Sequence, residues 1–464
     1  MNLLELSINK FHHSLCAGEA SSVNLVKFYL ARIERFDSVL ASVITVNPQA
    51  LQEAANADRY FSQTGQFIGP LHGVPILVKD NVEVKDIATT AGSLSLKSFI
   101  TSKDADLVRR MREAGAVILA KTNLHEFAVW GESISSMRGQ TLNPYDLTRT
   151  PGGSSGGTGA ALAANFGLVG IGTDTINSIR SPSSANNLVG LRPTVGLVSD
   201  NGIVPYSLTQ DTAGPMARCV EDVKTVFDII STKKLKPETN FSKRLGKLKS
   251  FFGNEAINSE VNQVMSITLS QLQKTGYEMV ELEDAFEIND LVSNVSVHLY
   301  ELNRDLNAYL VQNNAPVKSI AEILSSGQYH PGIRDNLEFS LKVACDRDEY
   351  MKRLSRREAL QQRVQEVFAR ENLDAIIFPH QQQLVCRTGQ SQQQRNGALA
   401  SITGFPSLCM PAGFSAPSPD APTGVPIGFE LLGLPESDLK LLAMGREIEA
   451  ANAKRKPPVE ENWL

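Results

Sequence analysis

The sequence predicts an α/β fold that contains a sheet with parallel strands. Two short apolar segments typical of buried strands, PILVK at 75–79 and AVILAKT at 116–122, enclose a helix-like segment at 104–115. Strand, helix and strand in that order form a βαβ unit, whose crossover helix makes its two strands parallel. Gly115 is typical of a helix end, so it marks where the helix gives way to the second strand.

The N-terminal segment 1–65 predicts three helices before the first strand of this unit. Apolar residues at positions 3, 4, 8 and 11 recur at helical spacing and predict the first helix. Ser21 and Ser22 are suited to cap the second helix, and Gly65 ends the third.

Helix and strand then alternate to the end of the chain. The small-residue segment GGTGAALAAN predicts a helix before the strand LVGIGT (168–173). A helix at 260–276 precedes the strand YEMVEL (277–282), and the charged stretch 338–372 precedes the strand DAIIF (374–378). The repeated alternation favours one α/β sheet over separate helical and sheet regions.

Composition excludes several classes of protein. The 464 residues are 42% hydrophobic and carry a net charge of −5, which excludes disorder and a general attraction to nucleic acid. The longest nearly apolar run, 160–172, is shorter than the ~20 residues of a membrane span. The five cysteines are scattered and predict reduced thiols. We therefore expect a cytoplasmic protein with no nucleic-acid or membrane partner.

The densest motif is RTPGGSSGGTG, in which four glycines flank Ser154 and Ser155. Such a run lets the backbone turn tightly and approach a ligand. It is not a phosphate loop, because no GK[ST] follows it, and its glycines lack the spacing of a dinucleotide site.

One interpretation of this motif is an esterase nucleophile elbow. Residues 153–157 satisfy G-x-S-x-G around Ser155, and His298, His330 or His380 would supply the base. However, DLTRTP precedes the glycines where a strand is required. An α/β-hydrolase-like esterase using Ser155 therefore remains an alternative.

Three features in order give a more specific interpretation. Lys79 ends the apolar strand in GPLHGVPILVKDN, Ser154 lies in the Gly-Ser segment, and Ser178 follows 24 residues later in GTDTINSIR. Here the sequence resembles the amidase signature family of serine hydrolases. Further landmarks of that family are GAVILAKTNLHEFA (115–128), GPMAR (214–218), SITGFPSLCMPAGF (401–414) and PIGFELLG (426–433).

The resemblance implies an architecture. A large, mixed and twisted β-sheet would be surrounded by α-helices in a single domain, 1–464. Its parts would be the helical segment 1–65, a signature core at 66–230 and the remainder at 250–464, with a substrate-facing insertion near 285–345. A homodimer stays open, since dimers are common among proteins that resemble this one.

The resemblance also implies a Ser-Ser-Lys triad. Ser178 would be the nucleophile, Ser154 the bridging serine on a cis peptide bond, and Lys79 the base. A lysine can accept a proton only when neutral, so its pKa must fall from ~10.4, and burial against an apolar strand lowers it. No histidine, metal or cofactor is then needed.

Other residues would have supporting roles. Backbone N–H groups would form the oxyanion hole, and the residues that carry them are Thr175, Ile176, Asn177 and Ser178. Asp174 and Arg180 would orient this loop, whereas Phe127 and Trp130 would line the acyl pocket.

The chain departs from the family pattern just before the nucleophile. Ile176 and Asn177 stand where most members have two glycines. A β-branched residue avoids positive φ, so we expect Ile176 to keep φ below zero and to pack away from the reacting carbon. We expect the Asn177 side chain to form a hydrogen bond near the loop.

The implied reaction is hydrolysis of a small-molecule carboxylic amide to an acid and an amine or ammonia through an acyl-serine. A tRNA-dependent amidotransferase A-type subunit is an alternative within the same family. A catalytically silent binding protein on the amidase fold is the other, because the Ile176-Asn177 pair changes the oxyanion loop.

Overall fold

A computed structural model describes residues 3–238, 240–284 and 286–463. Thr239 lies outside the described residues, as does Ala285 at the start of the predicted insertion 285–345 and, at the two ends, residues 1, 2 and 464. The strands are β1 Val43–Val46, β2 Pro75–Lys79, β3 Val117–Thr122, β4 Ile134–Ser135, β5 Gly139–Gln140, β6 Val169–Asp174, β7 Val189–Arg192, β8 Thr212–Ala217, β9 Arg244–Leu248, β10 Glu278–Leu282, β11 Ala375–Pro379, β12 Ser407–Phe414 and β13 Pro426–Leu432.

The α-helices are α1 Ile8–Cys16, α2 Ser22–Leu40, α3 Ala50–Thr64, α4 Asp106–Glu113, α5 Gly156–Ala163, α6 Arg180–Ala185, α7 Val220–Ile230, α8 Ser259–Lys274, α9 Ile288–Asp290, α10 His298–Gln312, α11 Ile320–Ser326, α12 Arg334–Val343, α13 Arg347–Glu371, α14 Ala398–Thr403 and α15 Asp438–Ala451. Short 3₁₀ turns are found at Leu94–Leu96, Glu126–Ala128, Lys249–Phe251, Ala256–Asn258, Pro331–Ile333 and Glu460–Trp463, and a π-helical turn at Leu291–Val295.

The large sheet is mixed. Within the described ranges, eleven strands pair in the order β1-β3-β2-β6-β8-β7-β12-β13-β11-β9-β10, and β4 and β5 form a separate small hairpin. Strand β2 is parallel to both β3 and β6, and β9 is parallel to both β10 and β11, whereas the remaining neighbours are antiparallel. Helices surround this sheet, which confirms the predicted α/β class.

Local sequence signals place the N-terminal helices as predicted, with one exception. The Ser21 hydroxyl accepts a hydrogen bond from the Asn24 N–H and caps α2. Gly65 ends α3 with φ of 67°, the left-handed conformation that glycine adopts without strain. The first helix begins only at Ile8, so Leu3 and Leu4 lie before it, and Ser7 is its cap.

The sheet brings the carboxyl ends of three neighbouring strands together on one side. Strands β3, β2 and β6 are adjacent and parallel, so their carboxyl ends lie on the same side of the sheet. Lys79 is the last residue of β2 and Asp174 is the last residue of β6. All residues of both strands are buried, as expected for strands covered by helices on both faces. Across the ranges described, no helix combines the length and apolar character of a membrane-crossing segment.

Candidate active site

Lys79 is fully buried, and its amine lies between strand β6 and the loop that carries Ser154. Its Nζ donates hydrogen bonds to Ser154 Oγ at 2.7 Å and to Thr173 Oγ1 at 2.7 Å. Asn81 Nδ2 also donates to Thr173 Oγ1, at 3.1 Å, and so fixes that hydroxyl. Because Thr173 belongs to the neighbouring strand β6, the sheet itself directs the amine of Lys79 toward Ser154.

Burial lowers the pKa of Lys79 to about 7. The carboxylates of Asp174 and Asp211 favour the charged form, but desolvation outweighs them. An amine with this pKa is about half neutral at pH 7, so it can accept a proton there. This is the environment that the sequence predicts for a basic lysine.

Ser154 lies in a loop that packs tightly against its neighbours. The Gly153–Ser154 peptide bond is cis. The Ser154 carbonyl accepts hydrogen bonds from the His125 N–H at 3.0 Å and from the Ser133 hydroxyl at 3.3 Å. A Cβ at Gly153 would lie 2.7 Å from Ser133 Oγ and 2.8 Å from the Gly131 carbonyl oxygen, so only glycine allows this approach.

Ser178 ends the loop 175–178, which joins β6 to the residues that lead into α6. The Ser155 N–H donates to the Ser178 carbonyl at 3.2 Å, so the two serine-bearing loops are in direct contact. Among the described residues, none forms a hydrogen bond with the Ser178 hydroxyl or with the N–H groups of 176–178. These groups are therefore available to a ligand.

A buried ion cluster holds the base of this loop. Arg180 donates to both carboxylate oxygens of Asp174, at 3.0 and 3.1 Å, and Arg192 donates to the same carboxylate at 2.8 Å. Burial opposes the charged form, but the two guanidinium groups hold the pKa of Asp174 well below its usual range. Arg180 also donates to the Ile176 carbonyl at 2.7 Å and thereby links the cluster to the loop.

A second carboxylate completes this cluster. Glu430 Oε2 accepts from Arg180 Nη1 at 2.6 Å, and Glu430 Oε1 is 2.7 Å from His380 Nδ1. Burial would raise the pKa of Glu430, but the Arg180 guanidinium and the His380 contact lower it to about 2. Both acids of the cluster are therefore ionised at neutral pH.

The two residues that replace the family's glycines adopt ordinary backbone conformations. Ile176 and Asn177, both described, are not among the residues with positive φ, which confirms the negative φ expected for Ile176. Ile176 packs against the buried cluster that contains Phe378 and Ile402. The expectation that Ile176 packs away from the site is met only in part, because it also lines the pocket next to the loop. The prediction for Asn177 is wrong, because its Nδ2 is buried and has no hydrogen-bond partner among the described residues. Its side chain lies against Gly397 rather than against a polar group of the loop.

A pocket of about 440 Å³ opens at Ser178. Its apolar lining consists of Ala128, Val129, Trp130, Ile176, Tyr206, Ile288, Val292 and Ala398. Its polar lining includes His298, residues 392–394 and one charged residue, Arg395, which pairs with Glu132. A pocket of about 490 Å³ beside α7 and α15 contains none of the site residues.

The pocket contains only one of the two aromatic residues expected there. Trp130 lines it and is 47% exposed. Phe127 lies outside the lining and is buried in the cluster that contains Leu302 and Leu306. Residues 288–298, from the predicted insertion, contribute part of the pocket wall.

The alternative that uses Ser155 has no relay in the described part of the chain. The Ser155 hydroxyl donates to the Thr173 carbonyl at 3.2 Å, and no histidine there forms a hydrogen bond with it. His298 Nδ1 contacts Ser296, His330 Nδ1 accepts from a backbone N–H, and His380 contacts Glu430.

The sequence did not single out three residues that the structure places in the site: Thr173, Arg192 and Glu430. The sequence offers His380 only as a base for Ser155, whereas the structure places it against Glu430. Arg192 lies in the quoted segment GLRPT, and Glu430 lies in PIGFELLG. A charged residue inside an otherwise apolar strand was therefore the available signal for both.

Comparisons with known proteins identify the family of the chain. The chain belongs to the Amidase family, which matches residues 24–442. A probable amidase of Arabidopsis thaliana is 32% identical, over 94% of this chain and 88% of that protein. The A-type subunit of the glutamyl-tRNA(Gln) amidotransferase of Acinetobacter baumannii is 31% identical, over 99% of both chains.

The solved structures are similar over the whole fold. Native peptide amidase from Stenotrophomonas maltophilia superimposes with a TM-score of 0.87 and 31% identity, over 98% of this chain and 99% of that one. An amidase family protein from Bacillus anthracis has a TM-score of 0.85 and 28% identity, over 98% and 93%. The chain is therefore an amidase, a hydrolase that acts on the carbon–nitrogen bond of carboxylic amides.

The ion cluster predicts a large effect on stability. Asp174→Asn keeps the shape of the side chain but leaves Arg180 and Arg192 buried without their shared carboxylate. We expect a loss of about 3–5 kcal/mol in the free energy of unfolding, measured by urea denaturation at pH 7. The control is Asp228→Asn, which removes the exposed pair with Lys224 on α7 and should cost less than about 1 kcal/mol. Equal urea midpoints for the two variants would contradict the structural role of Asp174.

Proposed function

We propose that this amidase forms an acyl-enzyme on Ser178 and that Ser154 and Lys79 carry the proton. The observation that carries the proposal is the 2.7 Å hydrogen bond between Lys79 Nζ and Ser154 Oγ, formed by a lysine whose pKa is about 7. A serine hydroxyl is a weak nucleophile until a base takes its proton. The neutral amine of Lys79 is that base.

The proposed reaction has two halves. Ser154 passes its proton to neutral Lys79 and takes one from Ser178, whose oxygen attacks the amide carbon. Ser154 then donates a proton to the leaving nitrogen and recovers one from protonated Lys79, which returns to its neutral form, while the carbon–nitrogen bond breaks and the amine or ammonia leaves. Water attacks the acyl-enzyme with the same relay as base, and the carboxylic acid departs as Ser178 regains its proton.

The loop 175–178 is the proposed oxyanion hole, contributed by the N–H groups of Thr175, Ile176, Asn177 and Ser178. The N–H groups of 176–178 are free of hydrogen bonds to other described residues. A backbone N–H survives replacement of glycine by any residue except proline, so the Ile-Asn pair does not remove these donors. One such donor is worth about 3–4 kcal/mol of transition-state stabilisation in serine hydrolases. Asp174 and Arg180 would orient the loop.

The pocket chemistry favours a neutral substrate with an apolar acyl group. Most of the surface that lines it is apolar, and its one charged residue, Arg395, is already paired with Glu132. Burial lowers the pKa of His298 to about 4, so that ring is neutral at pH 7. Trp130 would then cover the acyl group. Because a similar structure is a peptide amidase, the amides of apolar peptides are a second substrate class to test.

We extend the proposal to the organisation of the chain. Residues 1–464 would act as one amidase domain in the cytoplasm, in which the segment near 285–345 faces the substrate. The described cysteines are all unpaired, in keeping with a reducing compartment. The relatives that are A-type subunits of an amidotransferase make a component of a larger enzyme the second candidate. Turnover of simple amides by the isolated chain favours the first candidate.

The first test locates the nucleophile. A fluorophosphonate probe should add to the purified chain once, and peptide mapping should place the adduct on Ser178. Ser178→Ala should lose both labelling and turnover of neutral aryl and alkyl amides, by several orders of magnitude. Ser155→Ala is the matched control and should still be labelled on Ser178. An adduct on Ser155 with an active Ser178→Ala variant would establish the esterase alternative, whereas no labelling and no turnover would establish a silent binder.

The second test concerns the base. Protonated Lys79 cannot accept a proton, so kcat/KM should rise with pH through an inflection near 7 and fall on acidification. Lys79→Met should abolish the amidase activity whose kcat/KM shows this inflection. His298→Gln is the control, and it should keep the inflection. A profile that is flat between about pH 5 and 9, or an inflection that disappears in His298→Gln, would refute Lys79 as the base.

A further inference from the structure

Two buried polar atoms beside the proposed oxyanion loop have no partner. They are Asn177 Nδ2 and His380 Nε2, and neither forms a hydrogen bond to another described residue. Asn177 is 3% exposed and His380 is fully buried. Buried polar atoms in folded proteins nearly always have partners, so two such atoms in one place require an explanation.

The two side chains meet at Gly397. A Cβ placed on this glycine would lie 2.6 Å from Asn177 Cβ and 3.3 Å from His380 Cε1. The lack of a side chain at position 397 is therefore what allows the asparagine and the imidazole to approach each other. Because both atoms lie so close to that one point, Asn177 Cβ and His380 Cε1 are within about 6 Å of each other, and one water molecule can bridge polar groups at such a separation.

Their hydrogen-bonding characters are complementary. His380 Nδ1 lies 2.7 Å from Glu430 Oε1, and an ionised carboxylate only accepts hydrogen bonds, so Nδ1 carries the proton. In that tautomer Nε2 carries no hydrogen and is an acceptor. Asn177 Nδ2 is a donor with two hydrogen atoms. The donor and the acceptor thus lie on either side of one glycine.

The far side of the imidazole is firmly anchored. Glu430 Oε2 accepts from Arg180 at 2.6 Å and from the Ser407 hydroxyl at 2.6 Å. Arg180 in turn binds Asp174 and the Ile176 carbonyl. His380 is therefore a rigid extension of the ion cluster that ends next to Asn177, the residue before the proposed nucleophile.

We propose that His380 is a positioning residue whose Nε2 is joined to the Asn177 side chain through one bridging water, and so fixes the N–H groups of loop 175–178. Two glycines at 176 and 177 would offer no side chain for such a bond. Asn177 would supply it in this chain. The inference rests on the proposed function, because it assigns His380 to the oxyanion hole of that reaction.

The test is a double-mutant cycle in kcat and KM with a neutral amide. Asn177→Ala and His380→Leu should each lower kcat about tenfold, the equivalent of one net hydrogen bond, and change KM less than about twofold. The double variant should fall no further than either single variant, because both remove the same bond. His380→Gln, whose amide has one donor and one acceptor, should recover most of the kcat.

A control variant and an NMR measurement distinguish a positioning role of His380 from a general loss of structure. His72→Leu removes another fully buried imidazole with an unpartnered Nε2, away from the site, and should leave kcat unchanged. In ¹⁵N NMR spectra, His380 should show the tautomer protonated at Nδ1, and its Nε2 signal should shift in Asn177→Ala. This second readout does not depend on turnover.

The outcomes separate a failure of the positioning role from a failure of the proposed function. The positioning role is overturned if the parent enzyme is active and the two substitutions together lower kcat about a hundredfold. It is also overturned if the Nε2 signal does not respond to Asn177→Ala. Either result leaves the proposed function standing. A parent chain that hydrolyses no amide overturns both. Coupled losses in kcat together with the shifted Nε2 signal support the inference.

Discussion

Burial of Lys79 at the carboxyl end of β2 is the constraint that shapes the rest of the site. The amine has hydroxyl and carbonyl oxygens as its hydrogen-bond partners, from Ser154 and Thr173, and no described carboxylate contacts it. Such partners accept a hydrogen bond without compensating a full positive charge. The folded protein therefore favours the neutral amine, which is the form that can act as a base.

This arrangement has a cost in stability whose direction follows from the two pKa values. The unfolded chain binds a proton at Lys79 below a pKa of 10.5, whereas the folded chain binds it only below about 7. Between these values the unfolded state holds more protons, so the contribution of Lys79 to stability is unfavourable and improves as the pH rises. Asp174, equally buried, stays charged because two guanidinium groups face it. The difference in partners therefore explains why neighbouring strands end in a lysine with a lowered pKa and in an aspartate that stays charged.

Much of the fold and the core of the site could be predicted from the sequence. The strands at 75–79 and 117–122 are mostly apolar and buried throughout, and the helices at 22–40 and 50–64 have recognisable caps. The edge strand β1 was missed because four residues with mixed exposure give no clear pattern. The contact between Lys79 and Thr173 depends on strands adjacent in space, and the Glu430 contacts join residues far apart in the chain, so neither was visible in local sequence. The environments of Asn177 and Phe127 likewise depend on tertiary packing.

A direct titration of Lys79 tests the account most sharply. The measurement is the pH dependence of the lysine ¹⁵Nζ and ¹³Cε NMR signals in selectively labelled protein, with Lys79→Met used to assign the signal. We expect one lysine to titrate near pH 7, and we expect its signal to be missing in the variant. If every lysine, Lys79 included, titrates close to the ordinary value of about 10.4, the amine is charged at neutral pH and the proposed relay is wrong.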